Sequence, residues 1–279
     1  MIKQAIGLLD SGVGGLTVMK EAMKQLPNES FYYIGDTARC PYGPRPEEQV
    51  KEFTWDLTKF LLEKNIKMLI IACNTATAAA LTELKKELDI PVIGVILPGS
   101  RAAIKTTKLN RIGVIGTEGT IRSGEYKKAI TKKLANTEVF SEACPKFVPL
   151  IESNQFSSSI AKKVVTESLQ DLRRKKVDTL VLGCTHYPLL RPLIQNVMGD
   201  SVTLIDSGAE TVNEVSVLLD YYDMAEEKSD HPNERKFYTT GSVNMFKDIA
   251  SEWLELNECS VEHVSINRLK GTKLKHDSR

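Results

Sequence analysis

The chain has 279 residues, of which 42% are hydrophobic, and its 37 basic and 36 acidic side chains leave a formal net charge of +1. This length is sufficient for one large or two ordinary globular domains, each with its own hydrophobic core. The near-neutral charge provides no basic surface for nucleic acid or for an anionic membrane, so we expect neither as a partner.

Short β-branched runs alternate with amphipathic stretches along the chain, a pattern typical of parallel sheets built from βαβ units. Strands are predicted at residues 4–9, 30–35, 68–72 and 92–95 in the first half, and at 111–115, 138–141, 179–183 and 202–205 in the second. Helices are predicted at residues 16–25, 46–64, 75–88, 123–134, 157–175 and 210–222. After them we expect a solvated linker over 223–235, an edge strand over 236–239 and a helix over 244–254. The pattern predicts an α/β protein.

The second half of the chain repeats features of the first. Cys40-Pro41 recurs as Cys144-Pro145 and Cys73 recurs as Cys184, at separations of 104 and 111 residues. Separations of this size fit a duplicated domain better than a short solenoid repeat. We therefore expect two similar domains that face each other, each with a mainly parallel four-stranded sheet flanked by helices.

Cys73 and Cys184 each end an apolar run and are followed at once by hydroxyl or amide residues. Residues 66–76 align without a gap with residues 177–187, so the two cysteines occupy equivalent positions. A thiol beside a helix N-terminus has a lowered pKa, because exposed N–H groups stabilise the thiolate. Two such thiols indicate proton transfer on two faces of one substrate. A buried cysteine can also be a small hydrophobic side chain, but the duplication favours catalysis.

The five cysteines are odd in number and lack CxxC spacing, so we expect reduced thiols, with no disulfide framework and no metal site. For Cys40 and Cys144, each followed by proline in a loop, a structural role is the favoured interpretation. The chain shows no signal-peptide pattern and no apolar run of about 18 residues, which predicts a cytoplasmic protein with no membrane partner.

Other polar residues also follow predicted strands, at the sheet edge where ligands of parallel α/β folds collect. The turn at residues 10–15 lacks GxGxxG spacing and a Walker lysine, which disfavours a nucleotide site. The same turn suits an ammonium-bearing ligand beside Asp10, or is simply a tight turn. His186 lies two residues from Cys184 and is placed to exchange protons with that thiol. Asp36 and Glu152 are weaker candidates, since carboxylates in such loops are commonly solvated.

Four blocks, taken together and in this order, resemble the signature of the glutamate racemase family: DSGVGG at 10–15, DTARCPYG at 36–43, ACNT at 72–75 and GCTHYP at 183–188. The resemblance extends from residue 6 to about residue 207 and looks like the Gram-positive branch. It implies a cofactor-independent isomerase that interconverts L- and D-glutamate and supplies D-glutamate for peptidoglycan. It also implies a homodimer whose chains each enclose glutamate in a cleft between two pseudo-symmetric domains.

The resemblance also implies roles for individual residues. The catalytic thiols fall on Cys73, which would take the proton of D-glutamate, and on Cys184, which would take that of L-glutamate. Assisting groups fall on Asp10, Glu152 and His186, with Asp36 as a further helper. Substrate contacts fall on Asp10, Ser11, Pro41, Tyr42, Gly43, Asn74, Thr75, Thr117, Thr120, Thr185 and His186.

With this architecture we expect residues 1–97 and about 208–266 to form the first domain and residues 98–207 the second. Residues 267–279 are expected to be a disordered tail. One position departs from the family pattern, because Leu97 stands where close relatives are expected to have glutamine. This change lies near the domain junction or the cleft mouth and outside the catalytic set.

Two other functions remain open from the sequence. The same superfamily fold could act on another substrate, as an aspartate or hydantoin racemase or as a one-cysteine decarboxylase. Alternatively, the turn at residues 10–15 could hold a nucleotide in a non-enzymatic protein whose cysteines respond to oxidants.

Overall fold

The structure is a computed structural model that describes residues 4–156, 158–228 and 233–272. The first part of the chain forms β1 (Ile6–Asp10), α1 (Leu16–Gln25), β2 (Phe31–Gly35), α2 (Glu47–Glu63), β3 (Met68–Ile71), α3 (Asn74–Glu87), β4 (Val92–Gly94) and α4 (Ile96–Thr106). The middle part forms β5 (Arg111–Gly116), α5 (Glu118–Ser123), α6 (Glu125–Lys133), β6 (Glu138–Ala143), α7 (Phe147–Glu152), α8 (Ser159–Ser168), α9 (Gln170–Arg174), β7 (Thr179–Gly183), a 3₁₀ helix (Tyr187–Leu190), α10 (Arg191–Met198) and β8 (Thr203–Asp206). The last part forms α11 (Ser207–Tyr221), β9 (Arg235–Thr239), α12 (Val243–Leu254), β10 (Val261–His263) and α13 (Ile266–Gly271).

These elements build two parallel sheets flanked by helices, which confirms the predicted α/β class. The first sheet has the order β10-β9-β2-β1-β3-β4 and the second has the order β6-β5-β7-β8. All eight predicted strands are present with shifts of only a few residues at their ends. Within the described ranges, no helix is both long enough and apolar enough to cross a bilayer.

The first sheet has six strands and not the predicted four, because the C-terminal part of the chain returns to it. β9 pairs with β2, with Phe31 opposite Arg235, and β10 pairs with β9. The segment predicted as an edge strand is therefore internal, and the edge is β10. This strand has only three residues, two of them exposed. It is too short to show the alternation of apolar and polar residues that predicts a strand.

Short helices account for most of the remaining differences. The helix predicted over 157–175 is divided into α8 and α9 at Leu169, and α4, α5, α7, α10 and α13 were not predicted. α5, α7, α10 and α13 have at most eight residues and α4 has eleven, so these helices gain their stability from packing rather than from propensity. Helix prediction fails where no long amphipathic pattern exists.

The core lies on both faces of each sheet. In β1, Leu8 packs against residues of α1, α11 and α12, whereas Leu9 packs against residues of α2 and α3 on the other face. Alternation of side chains along a strand requires this arrangement. Asp10, the last residue of β1, consequently emerges at the carboxyl edge of the sheet with its position set by two layers of packing.

The predicted disordered tail is wrong over its first residues. Residues 266–271 form α13, where Leu269 is fully buried beside Leu57 and Phe60 of α2. Arg268 also forms an ion pair with Glu63 at the end of α2. Residues 273–279 lie outside the described residues, and the domain bounds remain a prediction.

We predict that Leu269→Ala destabilises the protein by about 2–5 kcal/mol, because removing a buried leucine side chain leaves a cavity in the core. Urea unfolding followed by circular dichroism measures the change. The same substitution at Leu109, which is 63% exposed, is the matched control and should change stability by less than about 0.5 kcal/mol. Equal effects at the two positions would show that α13 does not belong to the core.

Candidate active site

The two cysteines singled out by the sequence meet in one cavity between the two sheets. Cys73 follows β3 of the first sheet and Cys184 follows β7 of the second, and each side chain is 6% exposed. The cavity volume is about 30 Å³, which is space for one or two water molecules. Its lining comprises Ser11, Cys40, Pro41, Tyr42, Gly43, Cys73, Asn74, Thr75, Thr117, Val148, Cys184, Thr185 and His186.

The two thiols have different surroundings. Cys73 is the N-cap of α3, and its Sγ accepts a hydrogen bond from the Ala76 amide at 3.4 Å. Cys184 precedes a 3₁₀ helix and not an α-helix, and its Sγ lies 3.9 Å from Nδ1 of His186. Helix N–H groups therefore assist the first thiolate, whereas an imidazole stands beside the second.

The expected lowering of the thiol pKa values is wrong. Burial and, to a smaller extent, the negative charge of Asp10 raise the pKa of Cys73 to about 11, although hydrogen bonds from Ala76 and Ser11 oppose the shift. Burial also raises the pKa of Cys184 well above its ordinary value. Loss of hydration outweighs the helix N-terminus. Both thiols are protonated at neutral pH until something in the cavity compensates the charge.

Asp10 lies beneath the cavity at the end of β1 and is fully buried. Its carboxylate accepts a hydrogen bond from the Gly12 amide at 3.0 Å and faces the Thr185 hydroxyl at 3.5 Å. Burial raises the pKa of this carboxyl above its ordinary value, although His186 and the amide of Gly12 oppose the shift. Asp10 of the first sheet thus meets the loop that carries Cys184.

His186 and Glu152 form a pair at the opposite side of the site. Nε2 of His186 lies 3.0 Å from Oε1 of Glu152, which is the last residue of α7. The imidazole is buried and also meets the Trp253 ring edge-on at 6.2 Å. Since Nδ1 faces Cys184 and Nε2 faces Glu152, the ring connects the thiol with a carboxylate that is about one-third exposed.

Threonine hydroxyls join the two halves of the cavity. Oγ1 of Thr75 lies 2.8 Å from Oγ1 of Thr117 and 3.2 Å from Oγ1 of Thr120, and the last two are 3.1 Å apart. Thr75 begins α3, whereas Thr117 and Thr120 belong to the N-terminus of α5. Hydroxyls can donate or accept, so this cluster can turn toward an anionic ligand.

Asp36 supports the site from behind and does not line the cavity. Its carboxylate accepts hydrogen bonds from the Tyr42 hydroxyl at 2.5 Å, from Arg39 Nε at 2.7 Å and from the Thr240 hydroxyl at 2.8 Å. Tyr42 and its neighbour Gly43 form one wall of the cavity. The role of Asp36 is therefore to hold that wall.

Cys40 differs from the sequence interpretation, whereas Cys144 and Leu97 agree with it. Cys40 lines the cavity instead of packing only in a loop, and burial raises its pKa above the ordinary range. Cys144 packs in the core of the second sheet, as a structural thiol does. Leu97 lies on α4, 37% exposed, and is not part of the cavity lining.

Gly14 lies where the two halves of the site approach each other closely, a feature that we did not predict from the sequence. A Cβ at Gly14 would lie 2.3 Å from Oγ1 of Thr185 and 2.4 Å from Nδ1 of His186. Nearby, the Thr17 hydroxyl donates to the carbonyl oxygen of Thr185 at 2.8 Å. The glycine lets the first sheet approach the Cys184 loop closely enough to shut the cavity. In the sequence, only the GVGG run at residues 12–15 indicates this close approach.

Comparison with known proteins agrees with this geometry. A model of the Asp/Glu/Hydantoin racemase family matches residues 8–215. The chain belongs to this family. A glutamate racemase from Carnobacterium sp. (strain St2) is 69% identical over 267 residues, which cover 95% of this chain and 100% of that relative.

Solved structures of the family share the fold. A glutamate racemase isoform from Bacillus anthracis superposes with a TM-score of 0.90 at 46% identity, covering 94% of this chain and 98% of that chain. A glutamate racemase from Francisella tularensis subsp. tularensis SCHU S4, in complex with D-glutamate, gives a TM-score of 0.87 at 36% identity, covering 95% and 98%. The two-domain racemase architecture predicted from the sequence is therefore confirmed.

We predict that alkylation of Cys73 by iodoacetamide in the ligand-free racemase rises about tenfold per pH unit from pH 7 to 9, because a raised pKa leaves the thiolate scarce and still increasing. Peptide mass spectrometry resolves the labelled cysteine. Free cysteine is the control and should level off near pH 8.5. A plateau for Cys73 below pH 9 would contradict the raised pKa.

We predict that Gly14→Ala lowers kcat/KM by about 100-fold, since the added methyl group separates the two halves of the site by a fraction of an ångström or more. Steady-state kinetics measures the loss. Gly271→Ala is the control, because nothing lies within 4 Å of a Cβ there, and it should keep full activity. Retained activity in Gly14→Ala would mean that the close approach is not needed.

Proposed function

We propose that this racemase interconverts L- and D-glutamate by proton transfer between Cys73 and Cys184. One observation carries the proposal: two buried thiols from opposite sheets line the same small cavity. Relatives in the family that share most of the chain are glutamate racemases. A solved relative holds D-glutamate.

Racemisation requires removal of the α-proton from one face of the amino acid and return of a proton to the other face. A single fixed base cannot do both without releasing its proton, whereas two opposed groups can. Cys73 as thiolate takes the proton of D-glutamate while Cys184 as thiol donates to the opposite face. The protonation states are then exchanged, and the enzyme is ready for L-glutamate.

The substrate itself supplies the missing charge compensation. Burial penalises both thiolates, and an opposite charge within about 4–6 Å favours the ionised form. The α-ammonium group of glutamate brings that charge. We propose that the reactive thiolate forms on substrate binding, with Asp10 assisting at Cys73 and the His186–Glu152 pair assisting at Cys184.

The remaining polar groups would bind the carboxylates and stabilise negative charge that develops near the α-carbon. Preorganised donors in a water-poor site are the usual means of such stabilisation. We propose these donors as substrate contacts: His186, Ser11, Asn74, Thr75, Thr117, Thr120 and Thr185, with the wall of Pro41, Tyr42 and Gly43. Asp10 accepts hydrogen bonds, so its proposed contact is with the ammonium group. Thiol chemistry of this kind calls for no cofactor and no metal.

The cellular role follows from the product. We propose that the enzyme works in the cytoplasm as a homodimer and supplies D-glutamate for peptidoglycan. Within each chain, residues 1–97 with about 208–266 would form one domain and residues 98–207 the other. The closed cavity would lie at their junction.

Substrate choice within the family is tested directly. Loss of optical activity from D-glutamate, followed by circular dichroism with no added cofactor, supports the proposal. Racemisation of D-aspartate or of a hydantoin, without racemisation of glutamate, would contradict the proposal and indicate another activity of the family.

We predict that Cys73→Ser and Cys184→Ser each reduce racemisation by at least about 1,000-fold, since a serine hydroxyl is a far weaker acid than a thiol. Each variant should still exchange the α-proton of one enantiomer with deuterium from the solvent: Cys184→Ser for D-glutamate and Cys73→Ser for L-glutamate. NMR in D₂O measures the exchange.

Cys259→Ser is the matched control, because Cys259 is buried in the core of the first sheet away from the cavity. It should racemise like the unmodified enzyme. Full racemisation in both site variants would rule out the two-thiol mechanism.

A further inference from the structure

Tyr126 of α6 reaches across the domain junction to the residue that follows Cys73. Its hydroxyl donates a hydrogen bond to Oδ1 of Asn74 at 2.7 Å. Both side chains are buried, with exposed fractions of 2% for Tyr126 and 3% for Asn74. The contact joins the second sheet to the first at the cavity wall.

This hydrogen bond determines which way the Asn74 amide faces. With Oδ1 held by Tyr126, the amino group Nδ2 must point away from the tyrosine. Among the described residues Nδ2 is buried without a hydrogen-bond partner. An unpaired buried donor costs about 1–3 kcal/mol, so such groups usually have a use. Asn74 lines the cavity that holds both thiols, where a bound carboxylate would accept from Nδ2.

Tyr126 is well suited to act as a fixed donor. Burial raises the pKa of its hydroxyl far above the ordinary value, so the group remains protonated. Its ring is closely confined, because a Cβ at Gly183 would lie 3.1 Å from the ring carbon Cε2 and one at Gly99 would lie 3.4 Å from the hydroxyl. The absence of side chains at these two glycines lets the tyrosine pack close to the backbone beside Asn74.

We propose that Tyr126 is a positioning residue that fixes the side-chain amide of Asn74 so that Nδ2 donates to a carboxylate of the substrate. This inference rests on the proposed function and adds a residue that does not touch the substrate. Because the two residues come from opposite sheets, the amide is oriented only when the domains are closed. Binding of the substrate carboxylate and contact between the two domains thereby depend on the same hydrogen bond, from Tyr126 to Asn74.

The test begins with Tyr126→Phe, which removes the donor and keeps the packed ring. We expect KM for D- and L-glutamate to rise about 3- to 10-fold, the usual worth of one hydrogen bond, as the amide becomes free to flip. The value of kcat should change by less than about twofold, because a carboxylate contact is made equally in ground and transition states.

A double-mutant cycle with Asn74→Ala separates positioning from a general structural effect. In the Asn74→Ala background, Tyr126→Phe should change KM by less than about twofold, since the group it acts through is gone. An equal increase in KM in both backgrounds, or no increase in the single variant, would overturn the inference.

Tyr238→Phe is the matched control. Tyr238 is a buried tyrosine whose ring packs edge-on against Phe60 in the first sheet, outside the cavity. It should leave KM unchanged, and an increase equal to that of Tyr126→Phe would mean that any lost core hydroxyl has this effect. If the unmodified enzyme does not racemise glutamate, the proposed function and this inference both fail; an active enzyme with an additive cycle overturns the inference alone.

Discussion

A thiolate is costly in a cavity from which water is excluded, because a buried charge loses its hydration unless nearby groups replace it. Cys73 and Cys184 are both in this situation, and Asp10 beneath them adds a further negative charge. Burial therefore favours the protonated form of both thiols. A nearby positive charge, such as an ammonium group, would favour the thiolate.

The dry cavity exists only because the two sheets present their carboxyl edges to each other. Three of the contacts across the junction use a small or precisely placed group: the hydroxyls of Thr75 and Thr117, the absent side chain of Gly14, and the hydroxyl of Tyr126 on Asn74. None of these contacts is a large apolar interface. Hydroxyl and amide groups can both donate and accept hydrogen bonds. The same groups can therefore join the two halves of the site and bind a ligand.

Much of the fold was predictable because parallel strands and long amphipathic helices have strong periodicity. The catalytic candidates were predictable because strand ends converge at one edge, which placed Cys73 and Cys184 without any knowledge of the second sheet's orientation. The direction of the pKa shifts of these two thiols was not predictable, because their burial depends on residues far away in the sequence. Tyr126 was missed for the same reason: it lies in the first turn of α6, and only the folded chain brings it to Asn74. The ordered α13 was missed because a single buried residue, Leu269, anchors a short basic helix.

The return of the C-terminal segment to the first sheet also has a consequence for synthesis of the protein. When β1 to β4 have left the ribosome, β2 is an open edge, because its neighbour β9 begins only at Arg235. An unpaired strand edge exposes N–H and C=O groups that can form hydrogen bonds with strands of other chains. The second sheet, whose strands are all contiguous in the sequence, can be completed earlier than the first. The first sheet, which carries Cys73, therefore gains its last two strands only after all strands of the second sheet have been synthesised.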